Sequence, residues 1–272
     1  MAQTRRLWVT AVLLVLAGLP AARAQTALRL GTTTSTYETG LLDHLLPPFE
    51  QAHGIQVHVL STGTGKALRL AENGDVDLIL VHDRQDEERF VAQGLGVNRR
   101  DVMYNDFVLL GPASDPAAIR GLADAAAALG RIAGAGQTFV SRGDDSGTHR
   151  RERALWAQAG LSPAGTWYLE AGQGMSATLR LADEKNAYLL SDRSTYLYQQ
   201  GELRLPVLVE GGPELRNPYG VIAVSPYRHA HVQYEAAMAL IAWLTSPACQ
   251  ERIAAYRKDG HVLFHPGAAP AP

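Results

Sequence analysis

The segment best suited to binding chemistry is SRGDDSGTH, at residues 141–149. It follows a β-like run at 137–140 and leads into a helix-like segment at 150–159. A strand that ends in small hydroxyl residues before a helix directs several backbone N–H groups at one point, and the positive end of the helix dipole favours an anion there. Arg142 adds a planar fork of donors that suits an oxyanion. The alternative is an ordinary capped helix start with a solvated arginine.

Two further strand-to-helix junctions have a similar composition. GTTTST at 31–36 has five consecutive hydroxyl residues, which compete for backbone hydrogen bonds and are poor in both helices and buried strands. STGTGK at 61–66 has glycines that let backbone N–H groups approach a ligand closely. It is not a nucleotide P-loop, because Leu60 and Ala67 stand where that motif requires a glycine and a hydroxyl residue.

Together these segments form a first junction (31–36), a second junction (61–66) and a third junction (141–149). Each alone could be a solvated turn. Three of them at the carboxyl ends of strands, where α/β sheets bind ligands, instead predict one shared site. Many neutral donors and a single arginine fit a small oxyanion.

Asp144 and Asp145 of the third junction would repel a bound dianion unless they point away or pair with Arg142. A phosphate site would accept a carboxylate, since protonated phosphate donates a hydrogen bond, whereas sulfate, molybdate or tungstate needs donors alone. We hypothesise that one aspartate braces Arg142 from behind. A solvated or helix-capping aspartate is the alternative.

The elements that must position these junctions alternate between strand and helix patterns. In the first part of the chain, strands are predicted at 28–31, 55–61 and 76–81. Helices are predicted at 41–51, 66–73 and 86–93. Farther along, strands are predicted at 106–110, near Thr138, Trp167, Tyr188 and Val207, and at 219–224, before a helix at 232–245. This alternation predicts an α/β fold with a parallel sheet and helices on both faces.

The amino-terminal 24 residues have the pattern of a cleaved secretion signal. Arg5 and Arg6 precede an apolar stretch at 7–19, and Ala22-Arg23-Ala24 forms a small-x-small cleavage site. We therefore expect cleavage after Ala24 and an exported protein. No later segment approaches the roughly 20 apolar residues that a membrane span needs, so we expect no stable membrane insertion.

Charge and cysteine content exclude several function classes. Removing the signal takes three arginines from the 25 basic residues and no acidic residue, leaving 22 basic against 27 acidic residues and a net charge of −5. This balance disfavours nucleic acid as a partner. Cys249 is the sole cysteine, which excludes an intramolecular disulfide, and we expect it to be buried. The histidines are scattered along the sequence, and we expect none of them to bind a metal. A mature length of about 248 residues suits a protein of two lobes.

Several segments in chain order carry a family resemblance. They are GTTTSTY (31–37) with GLL (40–42), STGTGKAL (61–68), the YNDF–GP stretch (104–112), SRGDDSGTH (141–149), LSDRSTYL (190–197) and NPYGVI (217–222). Together they closely resemble the periplasmic tungstate-binding component of ABC transporters, and the resemblance covers nearly the whole mature chain.

The resemblance implies a two-lobed periplasmic-binding-protein fold of type II, in which each lobe has a mixed, mainly parallel sheet flanked by helices. One lobe would comprise residues 25–105 plus 218–272, and the other residues 106–217. Tungstate would bind dehydrated in the cleft between them, and the closed form would dock onto a membrane permease. It further implies a periplasmic protein, expected to be a monomer, that is not an enzyme and has no cofactor or metal cation.

Carried onto this chain, the resemblance implies an anion-ligand set drawn from all three junctions. Its members are Thr33, Thr34 and Ser35, then Thr62, Gly63 and Thr64, then Arg142, Ser146, Gly147 and Thr148. Arg142 would be the one charged ligand. Ser194 stands where similar proteins have glycine, which puts any role of that loop in doubt.

Two alternatives stay open. Molybdate, sulfate and phosphate compete with tungstate, and the tungstate prediction rests on the resemblance. A secreted hydrolase of phosphate or sulfate esters would use Ser146 as nucleophile and His149 as base. Against that reading, Gly-x-Ser-x-Gly is absent, and the spacing of Asp144, Asp145 and His149 matches no familiar metal pair.

Overall fold

The computed structural model describes residues 26–258 and 260–268. The predicted secretion signal, at 1–24, lies outside the described residues. Within the described ranges, no helix is long and apolar enough to cross a membrane.

Strands and helices alternate along the described chain. The strands are β1 (Thr26–Thr33), β2 (Ile55–Thr62), β3 (Leu78–Val81), β4 (Gly96–Leu110), β5 (Phe139–Ser141), β6 (Tyr168–Glu170), β7 (Leu189–Asp192), β8 (Val207–Val209), β9 (Arg216–Val224), β10 (Arg257–Lys258), β11 (His261–Val262) and β12 (His265–Pro266). The helices are α1 (Thr34–Glu38), α2 (Leu41–His53), α3 (Thr64–Glu72), α4 (Arg84–Ala92), α5 (Ala125–Gly134), α6 (Gly147–Gln158), α7 (Met175–Lys185), α8 (Arg193–Gln199), α9 (Tyr234–Leu244) and α10 (Pro247–Ala255).

The largest sheet contains the strands that carry the first two junctions. Its order is β12-β4-β9-β3-β1-β2, so β1 lies between β3 and β2 and is parallel to both. The strands β9, β4 and β12 continue the sheet in antiparallel pairings. The carboxyl ends of β1, β2 and β3 therefore share one edge, and the register places Thr33 opposite Thr62.

The long strand β4 takes part in two groups of strands. Its residues 96–106 pair with β9, and its residues 107–110 pair with β7 and β8. The sequence-based strand at 106–110 was therefore too short. Register shifts at Val97/Arg100 and Asp101/Met103 interrupt the alternation of polar and apolar residues by which a strand is recognised.

Helices cover both faces of these strands. In β3, Leu78 and Leu80 pack with α2 and α9, whereas Ile79 packs with α3 on the opposite face. In β4, Phe107 packs with α5 and α6, and Val108 packs with α7. Alternate residues are thus buried on alternate sides, as the predicted helices on both faces require, but the sheet is mixed and not parallel throughout. The predicted lobe boundaries stay a prediction.

A buried polar cluster fixes α6 against β6. The carboxylate of Glu152 in α6 accepts hydrogen bonds from the hydroxyl of Tyr168 (2.6 Å) and from Nε1 of Trp156 (3.2 Å). Burial raises the pKa of Glu152 to about 7, and these hydrogen bonds oppose that rise in part. Because α6 begins at the third junction, this cluster fixes the helix that follows that junction.

Replacing Glu152 with glutamine should change how stability depends on pH. Its folded-state pKa of about 7 lies above the ordinary value of 4.5. Its contribution to stability is therefore fully present below about pH 4.5 and is lost as the pH rises through about 7. At about 1.4 kcal/mol per pKa unit, this loss is on the order of 3 kcal/mol. The Glu152→Gln variant should avoid it, because an amide oxygen can accept the same two hydrogen bonds.

Urea unfolding of both proteins at pH 5 and pH 8 measures this effect. A second buried carboxyl, Glu87, also has its pKa raised to about 7, chiefly by burial, but it is present in both proteins. The difference between wild type and variant therefore isolates Glu152. An equal fall in the free energy of unfolding from pH 5 to pH 8 in both proteins would contradict the assignment.

Candidate functional site

The first junction forms a compact cluster of hydroxyl groups at the end of β1. Thr33 caps α1, since its Oγ1 accepts a hydrogen bond from the backbone N–H of Thr36 at 3.3 Å. The same oxygen lies 2.6 Å from Oγ1 of Thr36 and 3.2 Å from Oγ of Ser35. Thr33 and Ser35 are buried and Thr34 is half-buried. The hydroxyl groups are therefore held together at the carboxyl edge of the sheet.

The second junction adds a buried hydroxyl without a partner. Thr62 ends β2 beside Thr33, Gly63 precedes α3 without a side-chain cap, and Thr64 begins the helix. Thr64 is fully buried, and its Oγ1 has no hydrogen-bond partner among the described residues. Leaving a buried hydroxyl unpaired costs about 1–3 kcal/mol. An acceptor from outside the chain would relieve this cost.

The third junction holds a buried guanidinium. Arg142 follows β5, and its Nε donates to Oδ2 of Asp144 (3.1 Å) and to the backbone oxygen of Gln173 (3.0 Å). Its Nη2 also lies 3.0 Å from Oδ2 of Asp144. Asp144 therefore pairs with Arg142, as hypothesised, and its position behind a bound anion stays a prediction. A guanidinium has five N–H donors, so this arrangement leaves others for an external anion.

The helix start beside Arg142 supplies further donors. Oγ of Ser146 accepts a hydrogen bond from the backbone N–H of His149 at 3.3 Å and thereby caps α6. Gly147 and Thr148 form the first turn of the helix, and both are buried. Their backbone N–H groups lie at the positive end of the α6 dipole, the usual place for an anion.

Both aspartates of the third junction are engaged within the protein. Oδ1 of Asp144 accepts a hydrogen bond from the backbone N–H of Ser146 at 3.1 Å. Asp145 pairs with Arg150, with distances of 3.1 Å to Nε and 2.9 Å to Nη2. The backbone of Asp145 has a φ of +57°, which turns the chain into the helix. Each carboxylate is thus neutralised by an arginine, which removes the repulsion that the sequence suggested.

The three junctions meet at one edge of the sheet. His82 follows β3, the neighbour of β1, and packs against Gly147, where an added Cβ would lie 2.9 Å from Cε1 of His82. Gly65 of the second junction lies against Arg150, since an added Cβ would be 3.6 Å from its Nη2. The structure therefore places the predicted residues of all three junctions around the ends of β1, β2 and β3. Their role as ligands stays a prediction.

A buried chain of hydrogen bonds crosses β9 and β4 behind this edge. Nδ1 of His82 lies 3.0 Å from Oδ1 of Asn217, whose Nδ2 donates to Oδ1 of Asn105 at 2.6 Å. Nδ2 of Asn105 donates to Oγ of Ser194 at 2.8 Å, and Ser194 donates to Oδ1 of Asp192 at 2.6 Å. Burial lowers the pKa of His82, which favours its neutral form.

The sequence alone did not predict this chain of hydrogen bonds. His82 and Asn217 are 135 positions apart, and no local pattern joins them. The family resemblance left the role of Ser194 in doubt. In the structure, Ser194 is fully buried and hydrogen-bonded to Asn105 and Asp192. Asn105 and Asn217 are directly opposite each other in the β4–β9 pairing, so only the strand register brings them together.

The arrangement of Ser146 and His149 does not favour the hydrolase alternative. Oγ of Ser146 bonds to the backbone N–H of His149 and not to its ring. Nδ1 of His149 instead accepts a hydrogen bond from the backbone N–H of Asp145 at 3.0 Å. The described residues contain no group of His, Cys, Asp and Glu that could hold a metal ion. Cys249 is buried as predicted, and burial raises the pKa of its thiol to about 12.

A cleft of about 320 Å³ lies beside the junctions, between α4 and α6. Of the predicted ligand residues it touches Gly147 alone. Its remaining lining includes His82, Arg84, Phe107, Arg151 and Pro218. The cleft is therefore adjacent to the candidate site and distinct from the hydroxyl clusters of the first two junctions.

Comparison with known proteins agrees with this architecture. Residues 20–248 match the model of the PBP superfamily domain. The tungstate-binding protein TupA of Peptoclostridium acidaminophilum is 45% identical over 251 residues, which cover 91% of this chain and 88% of that protein.

Two solved structures are also similar. One is the tungstate ABC transporter from Geobacter sulfurreducens, with 50% identity, a TM-score of 0.79, and coverage of 86% of this chain and 100% of that chain. The other is the tungstate-binding protein TupA from Desulfovibrio alaskensis G20, with 44% identity and a TM-score of 0.79. The match covers 90% of this chain and 100% of that chain.

These comparisons confirm the predicted family and fold class. The relatives are binding and transport proteins, in agreement with the expectation that the chain is not an enzyme. The chain belongs to the PBP superfamily and, within it, to the family of the tungstate-binding proteins.

Proposed function

We propose that this protein captures tungstate as a dehydrated oxyanion in the periplasm and delivers it to the membrane permease of an ABC transporter. The observation that carries the proposal is the buried guanidinium of Arg142, held by Asp144 beside the start of α6. A buried cation that is fixed from behind has its remaining donors directed at one place. An oxyanion there would gain charge-assisted hydrogen bonds at little cost in reorganisation.

The donor chemistry favours a fully ionised oxyanion over protonated phosphate. Hydroxyl groups of the first junction, Oγ1 of Thr64 and the N–H groups at the start of α6 can all donate. Asp144 and Asp145, the carboxylates next to them, already accept hydrogen bonds from Ser146 and Arg150. The proton of a hydrogenphosphate would have to compete with these bonds. Tungstate and molybdate need no such acceptor.

We further propose that residues 25–105 plus 218–272 and residues 106–217 act as two lobes that close on the anion. The strands β4 and β9 would join them, since residues 96–106 of β4 pair with β9 and its last residues pair with β7 and β8. The first and second junctions would contribute ligands from one lobe, and the third junction from the other. Closure would remove water from the anion and strengthen each hydrogen bond.

We infer that the protein is exported through the signal at 1–24, cleaved after Ala24, and works as a monomer in the periplasm. The relatives that belong to ABC transporters support a permease partner. Edman degradation of protein purified from the periplasmic fraction would give Gln25 as the first residue if cleavage occurs as proposed.

A calorimetric panel of oxyanions tests the proposed function. Mature protein, residues 25–272, is titrated with tungstate, molybdate, sulfate and phosphate under identical conditions. Tungstate should bind most tightly, and it should raise the melting temperature at micromolar concentration, since a ligand stabilises by RT ln(1 + [L]/Kd). Phosphate that outcompetes tungstate would overturn the assignment. Equal affinity for molybdate would broaden the ligand class to both anions.

The Arg142→Met variant is the control for this panel. It removes the charge and the donors of the proposed site while keeping an unbranched side chain of comparable length. The heat of tungstate binding should disappear in this variant. Any binding that remains at wild-type affinity would come from another place on the protein.

The unpaired hydroxyl of Thr64 gives a second test. Thr64→Val should weaken tungstate binding about tenfold or more, the value of one hydrogen bond to a charged group. Its melting temperature without anion should stay equal to that of the wild type or rise, because an unpaired buried hydroxyl is removed. Calorimetry and thermal unfolding measure the two effects separately.

Thr32→Val is the matched control for Thr64→Val. Thr32 is also fully buried, but its Oγ1 donates to the backbone oxygen of Leu80 at 2.8 Å. Its loss should cost about 1 kcal/mol of stability and leave tungstate affinity unchanged. If the Thr64→Val variant bound tungstate as tightly as the wild type, Thr64 would not be a ligand of the anion.

A further inference from the structure

We propose that Arg150 is a positioning residue that clamps the second and third junctions together in the anion-bound form without touching the anion. The inference rests on the proposed function, because it concerns how the closed form is held. Arg150 lies in the first turns of α6, four residues after the capping residue Ser146. Nothing in the sequence pattern distinguishes it from the neighbouring arginines at 151 and 153.

Arg150 is bonded to three carboxylates from two distant parts of the chain. It pairs with Asp145 of the third junction, at 2.9 Å from Nη2 to Oδ2. It also pairs with Asp86 of α4 and lies 3.5 Å from Oδ2 of Asp83, which caps α4. The side chain is 28% exposed, those of Asp86 and Asp83 are 6% and 13% exposed, and that of Asp145 is 65% exposed. The contacts with α4 are therefore half-buried, whereas the pair with Asp145 lies at the surface.

The same guanidinium also meets the second junction. An added Cβ at Gly65 would lie 3.6 Å from Nη2 of Arg150 and 3.9 Å from Oδ2 of Asp145. Gly65 is in the first turn of α3, next to Thr64. A single side chain of α6 thus pairs with the helix α4 and with the loop that carries Arg142, and it lies beside the helix that follows the second junction.

Electrostatics explains why this contact favours closure. With Arg150 in place, its positive charge lies among the carboxylates of Asp83, Asp86 and Asp145, and Arg89 supplies a further partner for Asp86 at 2.6 Å. Without it, the half-buried carboxylates of Asp83 and Asp86 would face the exposed carboxylate of Asp145 from the other proposed lobe. Like charges repel, and separation of the lobes relieves the repulsion. Arg150 therefore stabilises the closed form relative to the open form.

This role predicts an effect on affinity that differs from that of a ligand residue. The apparent Kd equals the intrinsic Kd divided by the fraction of the binding-competent form. Loss of Arg150 should therefore weaken the binding of every oxyanion by the same factor. The order of preference between tungstate and molybdate should stay unchanged. Because closure retains the anion, the change should lie mainly in faster dissociation.

The test compares Arg150→Met with the wild type in tungstate and molybdate titrations and in stopped-flow dissociation. We expect roughly tenfold weaker binding of both anions, between the values for exposed and for buried ion pairs. The ratio of the two affinities should match that of the wild type. Unchanged affinity and unchanged dissociation rate would overturn the proposal, as would a loss confined to one anion.

Arg193→Met is the matched control. Arg193 is 26% exposed and pairs with Asp106 (2.7 Å) and Glu210, both within the proposed lobe of residues 106–217. It has the same charge and nearly the same burial, but its ion pairs do not cross between lobes. Tungstate affinity should be unchanged in this variant. An equal loss of affinity in Arg193→Met and Arg150→Met would contradict a specific clamp.

A double-mutant cycle with Asp86→Asn identifies the partner across the gap. If Arg150 acts through Asp86, the double variant should lose less affinity than the product of the two single losses. Independent effects would overturn the interlobe pairing. The cycle stays informative if one single variant is less stable, because each affinity is measured on the folded protein.

The failure of this proposal and the failure of the proposed function are distinguishable. A wild type that binds no tungstate would refute the function. The clamp would then be tested by small-angle X-ray scattering of both proteins saturated with whichever oxyanion of the calorimetric panel does bind. A larger radius of gyration in Arg150→Met than in the wild type supports the clamp, and an equal radius overturns it.

Discussion

Burial of the Arg142 guanidinium is the constraint on which the site depends. A cation is costly to remove from water unless a carboxylate and hydrogen-bond acceptors surround it. Asp144 and the backbone oxygen of Gln173 meet this need from one side. The other oxygen of Asp144 binds the N–H of Ser146, so the group that neutralises the arginine also fixes the start of α6.

The backbone of the third junction follows from this pairing. Gly143 has a φ of +65°, and an added Cβ there would lie 2.8 Å from Cβ of Glu170. A glycine is therefore needed, both for the left-handed conformation and for the close approach to β6. Behind the loop, the buried Glu152 holds α6 to Tyr168. The arginine, the turn and the helix thus form one unit, whose helix start packs against His82 at the end of β3.

Much of this site could be predicted from the sequence, because its signals are local. Hydroxyl and glycine residues between a strand and a helix mark a junction wherever it lies in the fold, and Asp144 is two residues from the arginine that it braces. The contacts that sequence reasoning missed depend on tertiary register. Asn105 and Asn217 meet through the pairing of β4 with β9. Arg150 of α6 meets Asp86 of α4 across the space between the two helices.

The length of β4 shows the same limit. Two register shifts place polar residues out of phase over 96–105, so the period of two that identifies a strand is lost there. That stretch nevertheless carries Asn105, which links the two groups of strands. Irregular pairing therefore hides part of the strand that takes part in both groups of strands.

The proposed site is tested most directly by diffraction at the tungsten absorption edge from crystals of the mature protein grown with tungstate. We expect one strong anomalous peak within hydrogen-bond reach of the Arg142 guanidinium, Oγ1 of Thr64 and the hydroxyl groups of the first junction. A peak in the neighbouring cleft lined by Arg84 and Arg151, or no ordered peak at all, would contradict it.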